Sequence, residues 1–419
     1  MRLLLPVVAG HVCLLIAASA QPLTLKEAVA RIETLNPDTA TARLQVLERQ
    51  AQAEAVKSGY QPQANLTVQT AYQTSNLQGI GLVFPGFPSR IGGFRTFNAR
   101  PQVTQTVLDL SLLSQIRAAR ANTRVAEAQQ RTVRDDLAIA VVTLYLQTLQ
   151  ADSRIAASDA RLRTAETIVT QAKDRESVGT GSKLDVARAV EQLENERIVR
   201  TNAARDAAVL RTLLAQAIGT DQAPAALERP AFATIAEPQT RPELLVLEER
   251  ARAAQLETEA ARRQKYPKIS AFADWGVLGA GPDRAIGTYT VGASFTVPLW
   301  TGRRIENEIA AARVREDQIR VDQKRTQLRI TQERTAADAE LTAARDAFAA
   351  SVRAAQASKE TLELATLRYQ GGLASSVDVQ IAQGAFAVSE DQRIRSEYEV
   401  MLAEAKAAKA SGNILAAIR

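Results

Sequence analysis

The sequence predicts a mainly α-helical chain with a transmembrane β-barrel portion, organised as a two-fold internal repeat of long helical hairpins and β-hairpins. Three observations carry this prediction. The first is a duplicated turn: Arg175, Gly179, Ser182, Asp185 and Val186 recur as Arg368, Gly372, Ser375, Asp378 and Val379, all at one offset of 193 residues. The second is a pair of polar, Ala-rich helical stretches of some 70 residues, almost free of Gly and Pro, each a rod of roughly 100 Å. The third is a change from helical period to period two at matching places in both halves, as half-buried or lipid-facing strands require.

The chain opens with Arg2, an apolar run from Leu3 to Ala18, and then Ala18-Ser19-Ala20. This reads as a secretory signal over 1–20 with cleavage before Gln21. Val12 and His11 precede Cys13 where a lipoprotein signal needs small residues. The only His and the only Cys lie in this segment. The mature chain therefore cannot build a Ser-His-Asp or Cys-His centre, a disulfide or an ordinary zinc site, and no catalytic residue, metal or cofactor is expected. Asp and Glu are plentiful, but they alternate with Arg at helical spacing, the pattern of a solvated face. Net charge is +6 and aromatics make up 4% of residues. With the cations dispersed rather than gathered on a stripe, nucleic acid is not an expected partner. No run after Gln21 is long and apolar enough for a transmembrane helix. An exported chain of this kind crosses a membrane only as a closed β-barrel.

The first repeat is assigned to 21–218. A helix runs from Leu23 to Ser58, with Thr24 and Glu27 as a capping box and a break at Asn36-Pro37. Leu66, Val68, Thr70 and Tyr72 then alternate with Asn65, Thr67, Gln69 and Ala71, and Phe97, Ala99, Pro101 and Val103 with Asn98, Arg100, Gln102 and Thr104. This predicts a hairpin over 63–107 with a long Gly/Pro-rich loop from Leu77 to Thr96. A soluble sheet shares the alternation, so one hairpin alone leaves both readings open. A long helix follows to about Val178, then a tip at 179–184 and a shorter helix from Asp185 to Ile218. Gly179 and Gly372 close the long helices, and Ser182 with Asp185, like Ser375 with Asp378, resembles a capping box with Asp in place of Glu.

A Pro-rich linker over 219–241 leads to the second repeat, 242–411, which restates the plan. Its elements are a helix from Pro242 to Lys265, a hairpin over 267–299 with a loop from Val277 to Gly287, a long helix from about Arg303 to Tyr369, a tip at 370–376 and a helix from Val377 to about Ser411. Residues 412–419 are read as a tail. Four strands cannot close a barrel, since the smallest have about eight, so several chains must contribute.

The whole mature chain resembles the TolC family of outer membrane efflux proteins. The resemblance rests on Leu23-Thr-Leu-Lys-Glu-Ala-Val29, Asn36-Pro37, Arg241-Pro242, Tyr266-Pro267, Val297-Pro-Leu-Trp-Thr-Gly302 and the two tips. It implies a homotrimer in the outer membrane lipid, with a twelve-stranded barrel and a twelve-helix periplasmic tunnel. It further implies an exit duct for tripartite efflux or type I secretion, docked at its tips by a periplasmic adaptor that links it to an inner-membrane transporter. Carried over by position, the tip residues are Arg175, Gly179, Ser182 and Asp185, and Arg368, Tyr369, Gly372, Ser375 and Asp378. Asp378 is the candidate for a carboxylate ring at the aperture. Glu176 stands where Tyr369 would be, so the two tips are not expected to be equivalent. Many relatives carry a lipid-bearing Cys at the mature N-terminus; Gln21 stands there instead, leaving the barrel as anchor. The rival reading is a secreted coiled-coil scaffold or adhesin with small soluble sheets, which would not need the alternation in all four strand segments.

Overall fold

The computed structural model describes residues 22–81, 85, 86, 88–233 and 239–418. The signal segment read at 1–20 lies outside them. The chain forms two compact units. One comprises Thr41–Val133 and Thr240–Thr331, the other the residues up to Ala40 with Arg134–Gln239 and Gln332–Arg419.

The first of these carries the strands β1 (Gln63–Asn76), β2 (Arg90–Asp109), β3 (Lys268–Gly279) and β4 (Ala285–Thr296), in one antiparallel sheet of order β1-β2-β3-β4. The register puts like residues opposite one another. Leu66 faces Pro101, Val68 faces Ala99, Val103 faces Ala273, Trp275 faces Tyr289, and Ile269 faces Phe295. Paired residues of neighbouring strands share a side of the sheet. One side is therefore almost wholly apolar, and its Leu66, Val68, Tyr72, Trp275, Tyr289, Val291 and Phe295 are exposed. The other side is mainly polar. There Arg100 of β2 donates to Asp274 of β3 at 2.8 Å and to the Thr288 hydroxyl of β4 at 2.7 Å, tying three strands together. Apolar residues do occur on that side, Leu278 opposite Ile286 near the loop end and Phe272 further along β3. Phe272 lies against Gly292, where an added Cβ would come within 2.7 Å of its ring.

Two predicted loops are shorter than the sequence suggested. Residues 90–96, read as loop, pair with β1 as far as Arg90 opposite Asn76. Gly92 and Gly93 supply no side chain to alternate, and a register shift between Gln73 and Ser75 breaks the period there. Likewise β3 runs to Gly279 and β4 begins at Ala285, because Gly279 and Gly287 hide the alternation.

Helices α2 (Pro37–Lys57), α3 (Leu110–Ser177), α5 (Pro242–Arg263) and α6 (Arg304–Gln370) run from the strand ends. In the strand-bearing unit, the Tyr60 hydroxyl donates to the carbonyl of Asp109 at 2.5 Å, and Ser111 donates to the carbonyl of Ala260 at 3.0 Å. Among the described residues no helix is long and apolar enough to cross a membrane.

The second unit adds α1 (Leu25–Leu35), α4 (Lys183–Ile218), α7 (Ser376–Ala410) and a short α8 (Ile414–Ala417). Its core gathers Leu25 and Ile32 of α1, Val141, Val142, Tyr145 and Leu146 of α3, Leu214 and Ile218 of α4, Ile394 of α7 and Ile414. Tyr145 is the centre of this cluster and is fully buried. Its hydroxyl lies 2.6 Å from the carbonyl oxygens of both Leu23 and Glu228, and burial pushes its pKa up to about 12. The capping box of Thr24 and Glu27 is formed, and Asn36 sits at the break between α1 and α2. There its amide donates to the carbonyl of Ala217 at 2.8 Å, so the end of α4 meets that break.

Two segments read as connections are built into this core. Within the predicted linker, Leu227 bridges to Leu23 and Phe232 to Ile418. The predicted tail carries α8 and buries Ile414, Ala417 and Ile418. Proline spacing and chain-end position point to a connector, whereas the apolar residues between the prolines have partners only long-range packing supplies.

Candidate functional site

Both tips lie in the second unit, and each is a helix end closed by local rules. At the first, Gly179 takes a left-handed φ of 76°, and the amides of Thr180 and Gly181 return to the carbonyl of Arg175, each at 2.9 Å. A residue with a Cβ adopts this backbone only at a cost, which glycine avoids. Ser182 caps α4: its side chain accepts from the Asp185 amide at 3.1 Å while Asp185 accepts from the Ser182 amide at 3.2 Å. The second tip repeats this with Gly372 at φ 73° and a reciprocal Ser375–Asp378 box of 3.3 and 2.9 Å.

The predicted residues do not stay in separate turns. Arg175 crosses to the second tip, donating to the Tyr369 carbonyl at 2.9 Å with its guanidinium carbon 4.6 Å from the Tyr369 ring centroid. A cation over an aromatic face gains electrostatically from the ring quadrupole. Tyr369 is buried beneath it, 7% exposed, whereas Glu176 at the matching first-tip position is partly exposed. Asp185 crosses as well, accepting from the Ser376 hydroxyl at 2.5 Å, and Gln380 donates to the carbonyl of Arg188 at 3.3 Å. Arg368 stays in its own turn, donating to the carbonyl of Leu373 at 3.5 Å. Neither Ser376 nor Gln380 was among the predicted site residues. The doublet Ser375-Ser376, against Ser182-Lys183 in the first copy, was the available signal: one hydroxyl caps and the next is free to reach across.

The two aspartates differ in surroundings. The Ser376 hydroxyl and then the Ser182 cap hold the Asp185 carboxyl below its ordinary pKa. Asp378 is exposed, and it too is lowered, by its hydrogen bonds from the Ser375 backbone and hydroxyl and by the charge of Arg368. A carboxylate with a depressed folded pKa contributes stability above its unfolded value, near 3.9, and loses it as pH falls through the folded one. The Asp185–Ser376 contact is accordingly expected to persist at neutral pH and to weaken only as pH falls below the ordinary carboxylate range. Nitroxide labels at exposed Val178 and Leu373 would report this as a broadened distance distribution. Asp185→Asn should give that broadening already at pH 7.

A sheet with one apolar side and a pair of tips related by internal duplication are both in place. The sequence profile of the family described as outer membrane efflux protein matches residues 29–220 and 237–413. The chain belongs to the outer membrane efflux protein family. Outer membrane efflux protein BepC of Brucella suis is 25% identical over 424 residues, covering 96% of this chain and 87% of that protein. The pyoverdine export outer membrane protein OpmQ of Pseudomonas aeruginosa is 25% identical over 223 residues, 48% of this chain and 46% of that one. Two solved structures share the fold. A membrane protein from Pseudomonas aeruginosa superposes with a TM-score of 0.81 at 22% identity, covering 93% of this chain and 90% of that one. The outer membrane protein VceC from Vibrio cholerae gives 0.77 at 18% identity, covering 93% and 96%. This family member is thus an outer-membrane exit duct for efflux, and its relatives are channels rather than enzymes. The family assignment sets aside the reading as a secreted scaffold or adhesin, and the sheet presents an exposed apolar side.

Proposed function

We propose that three copies of this chain assemble into a passive duct, whose tips dock a periplasmic adaptor linked to an inner-membrane transporter. The observation that carries this reading is the sheet: four strands with an apolar outer side, and edges at β1 and β4 that no described strand covers. Exposed backbone edges in lipid are untenable, so the barrel closes with strands of other copies. At the tips Val178, Leu184, Leu367 and Leu373 are exposed and apolar, a surface suited to a docking partner. Cargo passes unmodified; small molecules and proteins both fit a conduit without catalytic groups.

The particle mass of detergent-extracted protein, corrected for bound detergent, tests the assembly. Three protomers are expected, and a monomer or dimer would overturn it. Three exposed Asp378 side chains around one axis would form a ring favouring cations. Asp378→Asn should then lower the cation-to-anion permeability ratio of reconstituted channels several-fold, by roughly the loss of three clustered charges. An unchanged reversal potential would remove Asp378 from the aperture while leaving the trimer untouched.

A further inference from the structure

We propose that Trp300 and Arg303 form a site for an anionic phospholipid headgroup, at the membrane edge where the helices begin. This rests on the lipid-facing reading of the sheet. The strands end together at this level: Lys268 pairs with both Asp109 and Thr296. The chain then runs through Val297-Pro-Leu-Trp-Thr-Gly302 before α6 starts. Leu299 is 93% exposed and Trp300 82%, the two most exposed large hydrophobic side chains among the described residues. They follow directly on β4, whose apolar side presents Tyr289, Val291 and Phe295, and Tyr266 beside β3 is exposed too. An indole with an apolar body and one N–H is most favourably placed where acyl chain meets headgroup.

The charges nearby supply the selectivity. Lys265, Lys268 and Arg304 are each held by a carboxylate: Glu306 at 2.7 Å, Asp109 at 2.8 Å and Glu308 at 2.7 Å. Arg303 has no carboxylate within 4 Å among the described residues; the closest influence is on Glu306, which is bonded to Lys265. It is also the only described non-glycine residue with a positive φ, 65°, following Gly302 at 60°. A guanidinium with free donors three residues from an interfacial indole matches a phosphate, which it binds through paired N–H groups. Net negative headgroups add long-range attraction that zwitterionic ones lack. At the same offset the first half has Val107 and Leu110, and β2 passes directly into α3, so each chain carries one such site.

The sequence has two tryptophans, Trp275 and Trp300, which makes the test direct. The Trp275→Phe protein, reconstituted in phosphatidylcholine bilayers, is titrated with brominated phosphatidylglycerol or brominated phosphatidylcholine, and quenching of Trp300 is read. Brominated phosphatidylglycerol should win by about fivefold in relative binding, the effect of one well-placed cation. Arg303→Asn, which tolerates the left-handed backbone, should return the ratio to about one. Equal quenching by the two lipids, or no quenching of Trp300 while Trp275 is quenched in the Trp300→Phe protein, overturns the proposal. Absence of quenching at both tryptophans would overturn the lipid-facing sheet itself.

Discussion

Replacing Tyr145 with alanine is expected to lower stability by about 3–5 kcal/mol, the usual cost of emptying a buried aromatic site. The ring is fully enclosed between α1, α3 and α4, and its hydroxyl joins the Leu23 and Glu228 carbonyls. The same point is crossed by backbone bonds from Leu23 to Ala226, at 2.9 Å, and from Glu228 to Leu23, at 3.2 Å. Losing the ring therefore loosens the entry into α1 and the segment after α4 together. Tyr145→Phe keeps the packing and removes only the bridge, at about 1–3 kcal/mol. Melting of the helical signal in detergent separates the two. Equal losses in both variants would mean that the hydroxyl, not the packed ring, holds the cluster.

Gly219→Ala is expected to cost about 2–4 kcal/mol, combining a left-handed backbone with a clash. Gly219 ends α4 at φ 91°, and a Cβ there would lie 2.4 Å from the carbonyl oxygen of Leu35 and 2.6 Å from its carbon. Those are backbone atoms, which cannot rotate away. Gly179→Ala is the control: φ is 76° and nothing lies within 4 Å of the added carbon. It should cost only about 1–2 kcal/mol. If the same melting assay gives equal losses for both, the contact between α4 and the α1–α2 break contributes nothing beyond backbone conformation.

Features governed by neighbours in sequence were legible without the structure. Thr24 with Glu27, Ser182 with Asp185 and Ser375 with Asp378 form the expected capping boxes. Their hydrogen bonds close over three residues, and the alternation of β1 to β4 is likewise local. What could not be read depends on surfaces far apart in the chain. Nothing near Arg175 announces that its guanidinium will cover Tyr369, and nothing near Ser376 announces Asp185. Leu227, Phe232 and Ile418 looked like parts of connectors because the residues that bury them are more than a hundred positions away. At 90–96 the strand was invisible for a different reason: where glycines replace side chains, a pattern of side chains has nothing to report.

The sheet's strand count also carries a consequence of parity. With four strands in strict alternation, β1 and β4 run in opposite directions. The β4 edge of one copy can therefore continue antiparallel into the β1 edge of the next while both copies keep the same orientation across the membrane. A two-fold pairing of β1 with β1 would be antiparallel only if one copy were inverted, placing its helices on the opposite side. Such a join would be head-to-tail and unlike-to-unlike, and joins of that kind close only as rotational rings. An odd number of strands would have removed that option, because its two edges would run in the same direction.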